Sequence, residues 1–128
     1  MSVAFIPTDV FARYVNFQTA SGVSLTATAS PGTTIVQAAV NIPIRLTYVV
    51  LIGSVNLYNG GSVSVNEVIQ VFNGSNYIDV ATVTVGPGAY VQVTVNYVFL
   101  SPGTTTIGLA AYGGTLTASA EMTLLGIG

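Results

Sequence analysis

Between Ala81 and Tyr112 the chain reads ATVTVGPGAYVQVTVNYVFLSPGTTTIGLAAY. Polar and apolar residues alternate from Thr82 to Val85 and break at Gly86-Pro87-Gly88. They resume with Val91, Val93, Val95 and Tyr97 on one side and Gln92, Thr94 and Asn96 on the other. Successive side chains of a strand point to opposite faces, so this period selects half-buried β-strands. Gly-Pro-Gly predicts a tight turn, and Ser101-Pro102-Gly103-Thr104 predicts a second one leading into a strand over 105–112. The expectation is a three-stranded meander on which the rest of the molecule packs.

The same punctuation recurs along the chain. Strands are expected over 23–29, 34–40 and 46–58, the last being a near-continuous apolar run that suits a central strand. Gly53 would mark a bulge or a close approach within it. Ser30-Pro31-Gly32-Thr33 has Pro and Gly where a type II turn wants them, and Pro43 suits an edge or bend. Asn73-Gly74-Ser75 predicts a hairpin between 63–72 and 77–85. Gly113-Gly114 leads into a last strand over 116–125. SPGTT occurs at 30–34 and 101–105 with unmatched flanks, so it is one turn used twice. Eight or nine strands at roughly ten-residue spacing, with no helical period, predict an all-β, single-domain β-sandwich, jelly-roll-like and Greek-key in connection.

Residues 1–17 form a head rich in large apolar groups: Val3, Phe5, Ile6, Val10, Phe11, Tyr14, Val15 and Phe17. No turn closes it back before Ser21-Gly22. It is either the first strand of the domain's own sheet or an arm that adds to the exposed sheet edge of a neighbouring subunit. The division expected is an arm or donor strand over 1–17 and a sandwich over 18–128.

Composition bears on partners. Hydrophobic residues make up 51% and charged residues 5%, and Lys, His, Cys and Trp are all missing. A surface with so little charge is poorly protected against association, which favours a chain that meets copies of itself. Two Arg residues give duplex nucleic acid almost no counter-charge, and an anionic membrane is excluded on the same ground. No apolar run reaches the roughly eighteen residues of a membrane span. The opening MSVAFIPTDVFARY lacks the basic region and apolar core of an ordinary signal peptide. Little titrates near neutral pH, which suits acidic or hot surroundings. Heat has one point against it, since hyperthermophile proteins usually gain charged networks.

Catalytic and metal chemistry finds few residues. Nucleophilic triads need a His or Lys base, and zinc or haem needs His or Cys. Asn59-Gly60-Gly61 and Gly113-Gly114 lie between strands and read as turns. Glu67 and Asp79 flank the Asn73 turn. They are the one carboxylate pair suited to glycoside hydrolysis or calcium, although surface acids, or a partner for Arg45, explain them more simply. Asp9 and Arg13 are a local or inter-subunit pair. Asn73-Gly74-Ser75 is also an N-glycosylation acceptor pattern. Seven tyrosines are spread over most strands. They read as core or strand-end residues with the hydroxyl reaching water, the alternative being a stacked ring patch for carbohydrate or single strands, although nothing in sequence clusters them. No enzyme, cofactor or metal is expected.

From Val80 onward a strand, the Pro102-Gly103-Thr104 turn, a Thr106-x-x-Leu109 strand containing Ile107 and Ala110, Gly113-Gly114 and a last apolar strand follow in order. This resembles the closing strands of small jelly-roll domains in viral capsid, fibre and appendage proteins. The Thr/Val/Gly-rich chain without His, Cys or Lys is also similar to β-sandwich filament and virion proteins of hyperthermophilic archaea and their viruses. That resemblance implies a structural homopolymer on a virion or extracellular surface, assembled by a donated terminal strand. The alternative is a fibre-head or lectin-like module that recognises a host-surface glycan or protein.

Overall fold

The computed structural model describes residues 14–41, 48–100 and 104–127. Among them stand eight strands: β1 (Tyr14–Leu25), β2 (Thr33–Asn41), β3 (Tyr48–Tyr58), β4 (Val65–Phe72), β5 (Tyr77–Val85), β6 (Tyr90–Leu100), β7 (Thr104–Tyr112) and β8 (Leu116–Ile127). They form two four-stranded antiparallel sheets, ordered β1-β8-β3-β6 and β2-β7-β4-β5. Eight strands wound so that sequence neighbours mostly fall in opposite sheets make the jelly-roll arrangement of a β-sandwich.

The expected meander is not there. β5 and β7 belong to one sheet and β6 to the other. Gly86-Pro87-Gly88 does form a tight turn, with the Ala89 amide donating to the Gly86 carbonyl at 3.0 Å, but it carries the chain across the sandwich. Val85 thereby closes the core from one side and Val93 and Val95 from the other. A turn that crosses buries both apolar faces against each other, which a flat hairpin cannot do. The β4–β5 connection at Asn73-Gly74 is the hairpin that was expected.

β3 is central, as its apolar run implied, and lies between β8 and β6. Val49, Leu51, Val55 and Leu57 alternate into a core shared with Ile69, Leu109, Met122 and Leu124. Gly53 is a close approach rather than a bulge: its pairing is unbroken, and a Cβ there would press on the Glu121 carbonyl oxygen at 3.0 Å. The Ser30–Pro31 bond is cis and residues 28–31 form a bend, where a type II turn was expected.

β1 begins well before the strand expected from Val23. Tyr14–Phe17 pair with Thr123–Gly126 of the same chain, so these four residues of the expected arm stand in the domain's own sheet. Ser21-Gly22 is a bulge inside β1, with Gly22 at φ +64°. Val3, Phe5, Ile6, Val10 and Phe11 lie outside the described residues.

Candidate interface and polar sites

Residues directly opposite one another in antiparallel strands share a face. That rule resolves the outer surface of the β1-β8-β3-β6 sheet into rows. Tyr48 stands beside Leu100 and Ile127, and the next row runs Val15, Leu125, Val50, Val98. Phe17 and Ile52 follow, with Thr123 between them. Leu100 is 79% exposed, Val15 64% and Phe17 58%. Isolated exposed apolar side chains are ordinary, but here they lie side by side across four adjacent strands. β6 is an outer strand of this sheet. Along it lies a groove of about 280 Å³ lined by Asn73, Tyr97, Val98, Phe99 and Leu100.

Further along the same face the character changes. Thr19, Glu121, Ser54 and Thr94 form a polar row, then Ser119, Asn56 and Gln92 another. The last row holds Thr117, Tyr58 and Tyr90. The two tyrosine rings stack with centroids 4.5 Å apart. Sequence gave no sign of this cluster, because residues thirty-two apart meet only once β3 is known to pair with β6.

The two carboxylates singled out in sequence are on neighbouring strands but on opposite faces. Glu67 has the parity of Val65, Ile69 and Val71 and points inward, fully buried. Its Oε1 accepts the Gly114 amide at 2.9 Å, and its Oε2 is buried with no partner among the described residues. Burial pushes its carboxyl above the ordinary value, opposed in part by the Gly114 hydrogen bond. Glu67 is therefore not the solvated acid expected.

Asp79 faces outward. There the buried Gln70 amide donates to Asp79 Oδ1 at 2.9 Å and to Ser30 Oγ at 3.0 Å, while its oxygen accepts the Gly32 amide at 2.9 Å. Tyr112 donates to Asp79 Oδ2 at 3.1 Å, and this bond holds the Tyr112 hydroxyl above its usual range. The 28–32 connector thus crosses the outer face and seals Gln70 beneath it. The pair has no shared cleft for glycoside hydrolysis. Arg45, the other expected partner, lies outside the described residues. No group of three or more acids suited to a metal occurs among the described residues.

Asn73 caps its own turn: Oδ1 accepts the Ser75 and Asn76 amides at 2.9 and 2.8 Å. Among the described residues no helix is long and apolar enough to cross a membrane.

No family model and no curated protein sequence matches the chain. Solved structures share its fold. A chain of the T13 particle of infectious bursal disease virus matches with TM-score 0.55 and 15% identity, over 89% of this chain and 31% of that one. This chain thus spans about a third of the viral chain's length. An Eiger TNF from S. frugiperda matches with TM-score 0.54 and 6% identity, over 89% and 93% of the two chains. The CBM22-1 xylan-binding domain of Paenibacillus barcinonensis Xyn10C gives TM-score 0.53 at 15% identity, over 88% and 81%. At such identities the likeness is one of fold: an all-β sandwich of the kind found in viral capsids and carbohydrate-binding modules.

Proposed function

We propose that this chain is a non-enzymatic structural subunit that self-assembles into a filament or shell on a virion or cell surface. Residues 1–13 of one copy would dock on the next. The observation that carries the reading is the apolar end of the outer β1-β8-β3-β6 face, together with the edge of β6 beside it, which has one strand partner, β3, among the described residues. Val3, Phe5, Ile6, Val10 and Phe11 supply the complementary apolar side chains.

An arm pairing with β6 satisfies backbone groups that an edge strand leaves open and covers Val98 and Leu100. Thirteen extended residues reach on the order of 45 Å, ample for a neighbouring subunit. Tyr14–Phe17 are committed to β1, so the donated segment ends before them. Charge also favours a second copy. The charged side chains among the described residues are the acids Glu67, Asp79 and Glu121, and none lies in the patch. The fold shared with a viral particle is consistent with a capsid or fibre role, and the resemblance to archaeal filament and virion proteins belongs to the same reading.

The test compares the full chain, a chain lacking residues 2–13 and Leu100→Asp by negative-stain electron microscopy and light scattering. Filaments or shells from the full chain, and folded monomers from both variants, are expected. A truncated chain that still polymerises normally sinks the arm mechanism.

A further inference from the structure

The tyrosine end of the outer β1-β8-β3-β6 face is a different kind of surface from the apolar end. Six residues of β3 separate Ile52 from Tyr58, roughly 20 Å at strand rise, with polar rows between. Beside the stacked rings lies a groove of about 230 Å³, lined by Asn56, Tyr58, Tyr90, Thr117 and Ser119 among others. Tyr90 is 77% exposed, although an aromatic ring normally buries most of its surface.

From this geometry we propose that the Tyr58–Tyr90 groove binds one ring of a neutral saccharide. A sugar ring has one face of C–H groups and a rim of hydroxyls. Tyr90 offers the C–H face a flat, accessible ring. Asn56 contributes two donors and an acceptor, and Thr117 and Ser119 contribute hydroxyls that both donate and accept. Among the described residues no charged side chain lines the groove, so these residues give phosphate, sulfate and acidic sugars no counter-charge. The volume is below the usual range for drug-sized ligands, about 300–1,000 Å³, and fits a single ring with its neighbours in solvent.

The platform is held in place from behind. Asn59, the residue after Tyr58, is 1% exposed. Its Nδ2 donates to the Val63 and Val85 carbonyls at 2.7 and 2.9 Å, and its Oδ1 accepts the Gly61 amide at 2.9 Å. Its backbone amide donates to Ala89 O at 3.1 Å, and its carbonyl accepts the Gly88 amide at 2.7 Å. One buried amide therefore locks the loop after Tyr58 to the turn before Tyr90. The backbone that carries both tyrosines is thus tied together before any ligand arrives, which lowers the entropy lost on binding.

The test uses the full chain, assembled or not, with neutral oligosaccharides of β-1,4-linked glucose, xylose and mannose. Saturation-transfer NMR and an immobilised glycan array report binding. At least one neutral oligosaccharide is expected to bind, with Tyr90→Ala weakening it about tenfold or more and Tyr90→Phe retaining it within about threefold. Asn56→Ala should weaken it severalfold, while thermal unfolding of each variant reports that the sheet persists. Failure of every neutral oligosaccharide to bind overturns the proposal, as does binding that Tyr90→Ala leaves unchanged. Assembly of the full chain is read separately, so this proposal and the arm mechanism fail independently.

Discussion

Gln70 and Asp79 face each other across β4 and β5 because one extra residue, Val80, is inserted opposite them. Pairing runs Ile69 with Ala81 and then Gln70 with Asp79. Strict alternation from Ala81, Val83 and Val85 would aim Asp79 into the core. The bulge reverses the parity, packs both Val80 and Ala81 against the core, and turns the carboxylate out to Gln70 and Tyr112. Bulges commonly re-aim a side chain in this way.

Gln70→Ala should therefore destabilise the domain by about 1–3 kcal/mol, since it leaves the Gly32 amide and one Asp79 oxygen without their partner. Urea unfolding measures this. A change within experimental error would mean that the 28–32 connector is held by something other than Gln70.

Glu67 makes stability depend on pH with a defined sign. Its folded carboxyl titrates above the ordinary value of 4.5, so between the two values the folded state binds more protons than the unfolded one. Stability is then greatest below the unfolded value and declines as pH rises toward the folded one. Glu67→Gln should be more stable than the parent at neutral pH, with the gap closing as pH falls from the raised folded value to about 4.5 and staying level below it. Melting curves across this range check it; a gap that widens on acidification reverses the assignment.

Gly113 has φ +145°, and a Cβ there would overlap the Asn66 carbonyl oxygen and press on Glu67 Oε1 at 2.8 Å. Gly113→Ala should cost about 3 kcal/mol or more. Gly86, where an added Cβ meets nothing within 4 Å, should tolerate Ala within about 0.5 kcal/mol. Paired denaturation curves give the contrast.

Assembly through an uncharged apolar face should be nearly indifferent to sodium chloride, because there is little for salt to screen. Sulfate should strengthen it by favouring apolar burial. Val98→Lys should shift the critical concentration upward by about tenfold or more without lowering the melting temperature. Light scattering against salt and concentration measures both; dissociation by moderate sodium chloride would point to an ionic interface.

Much of the fold is legible in the sequence, and the limits have physical causes. Alternation and the turns that bound it located β5 and β7 to within a residue and the body of β6, whose end runs on to Leu100, and Asn73-Gly74 named its hairpin. A period of two tells which side of a strand is apolar, but both sheets of a sandwich turn apolar faces inward. Gly86-Pro87-Gly88 therefore read as a hairpin when it is a crossing. The bulge at Val80 has no distinguishing residue, so the outward turn of Asp79 was hidden, and with it the separation from Glu67. Tyr58 and Tyr90 needed the β3–β6 register, which nothing local encodes. The apolar head was visible from the start, whereas the patch on the sheet needed four strands placed side by side.

The pairing of β1 with β8 also orders events in time. A ribosome releases Tyr14–Leu25 early, yet the only partner that strand has among the described residues is Leu116–Ile127, made about ninety residues later. Closing so long a loop is slow compared with forming a hairpin. The β4–β5 hairpin can form on emergence, but the sheet bearing the apolar face cannot be completed until β8 emerges. Until then Val15 and Phe17 are unpaired on a nascent chain, beside other nascent chains carrying the same segment. Polysomes translating this protein are thus where premature association would begin, and slowing initiation to space the ribosomes apart should raise the yield of correctly folded subunits.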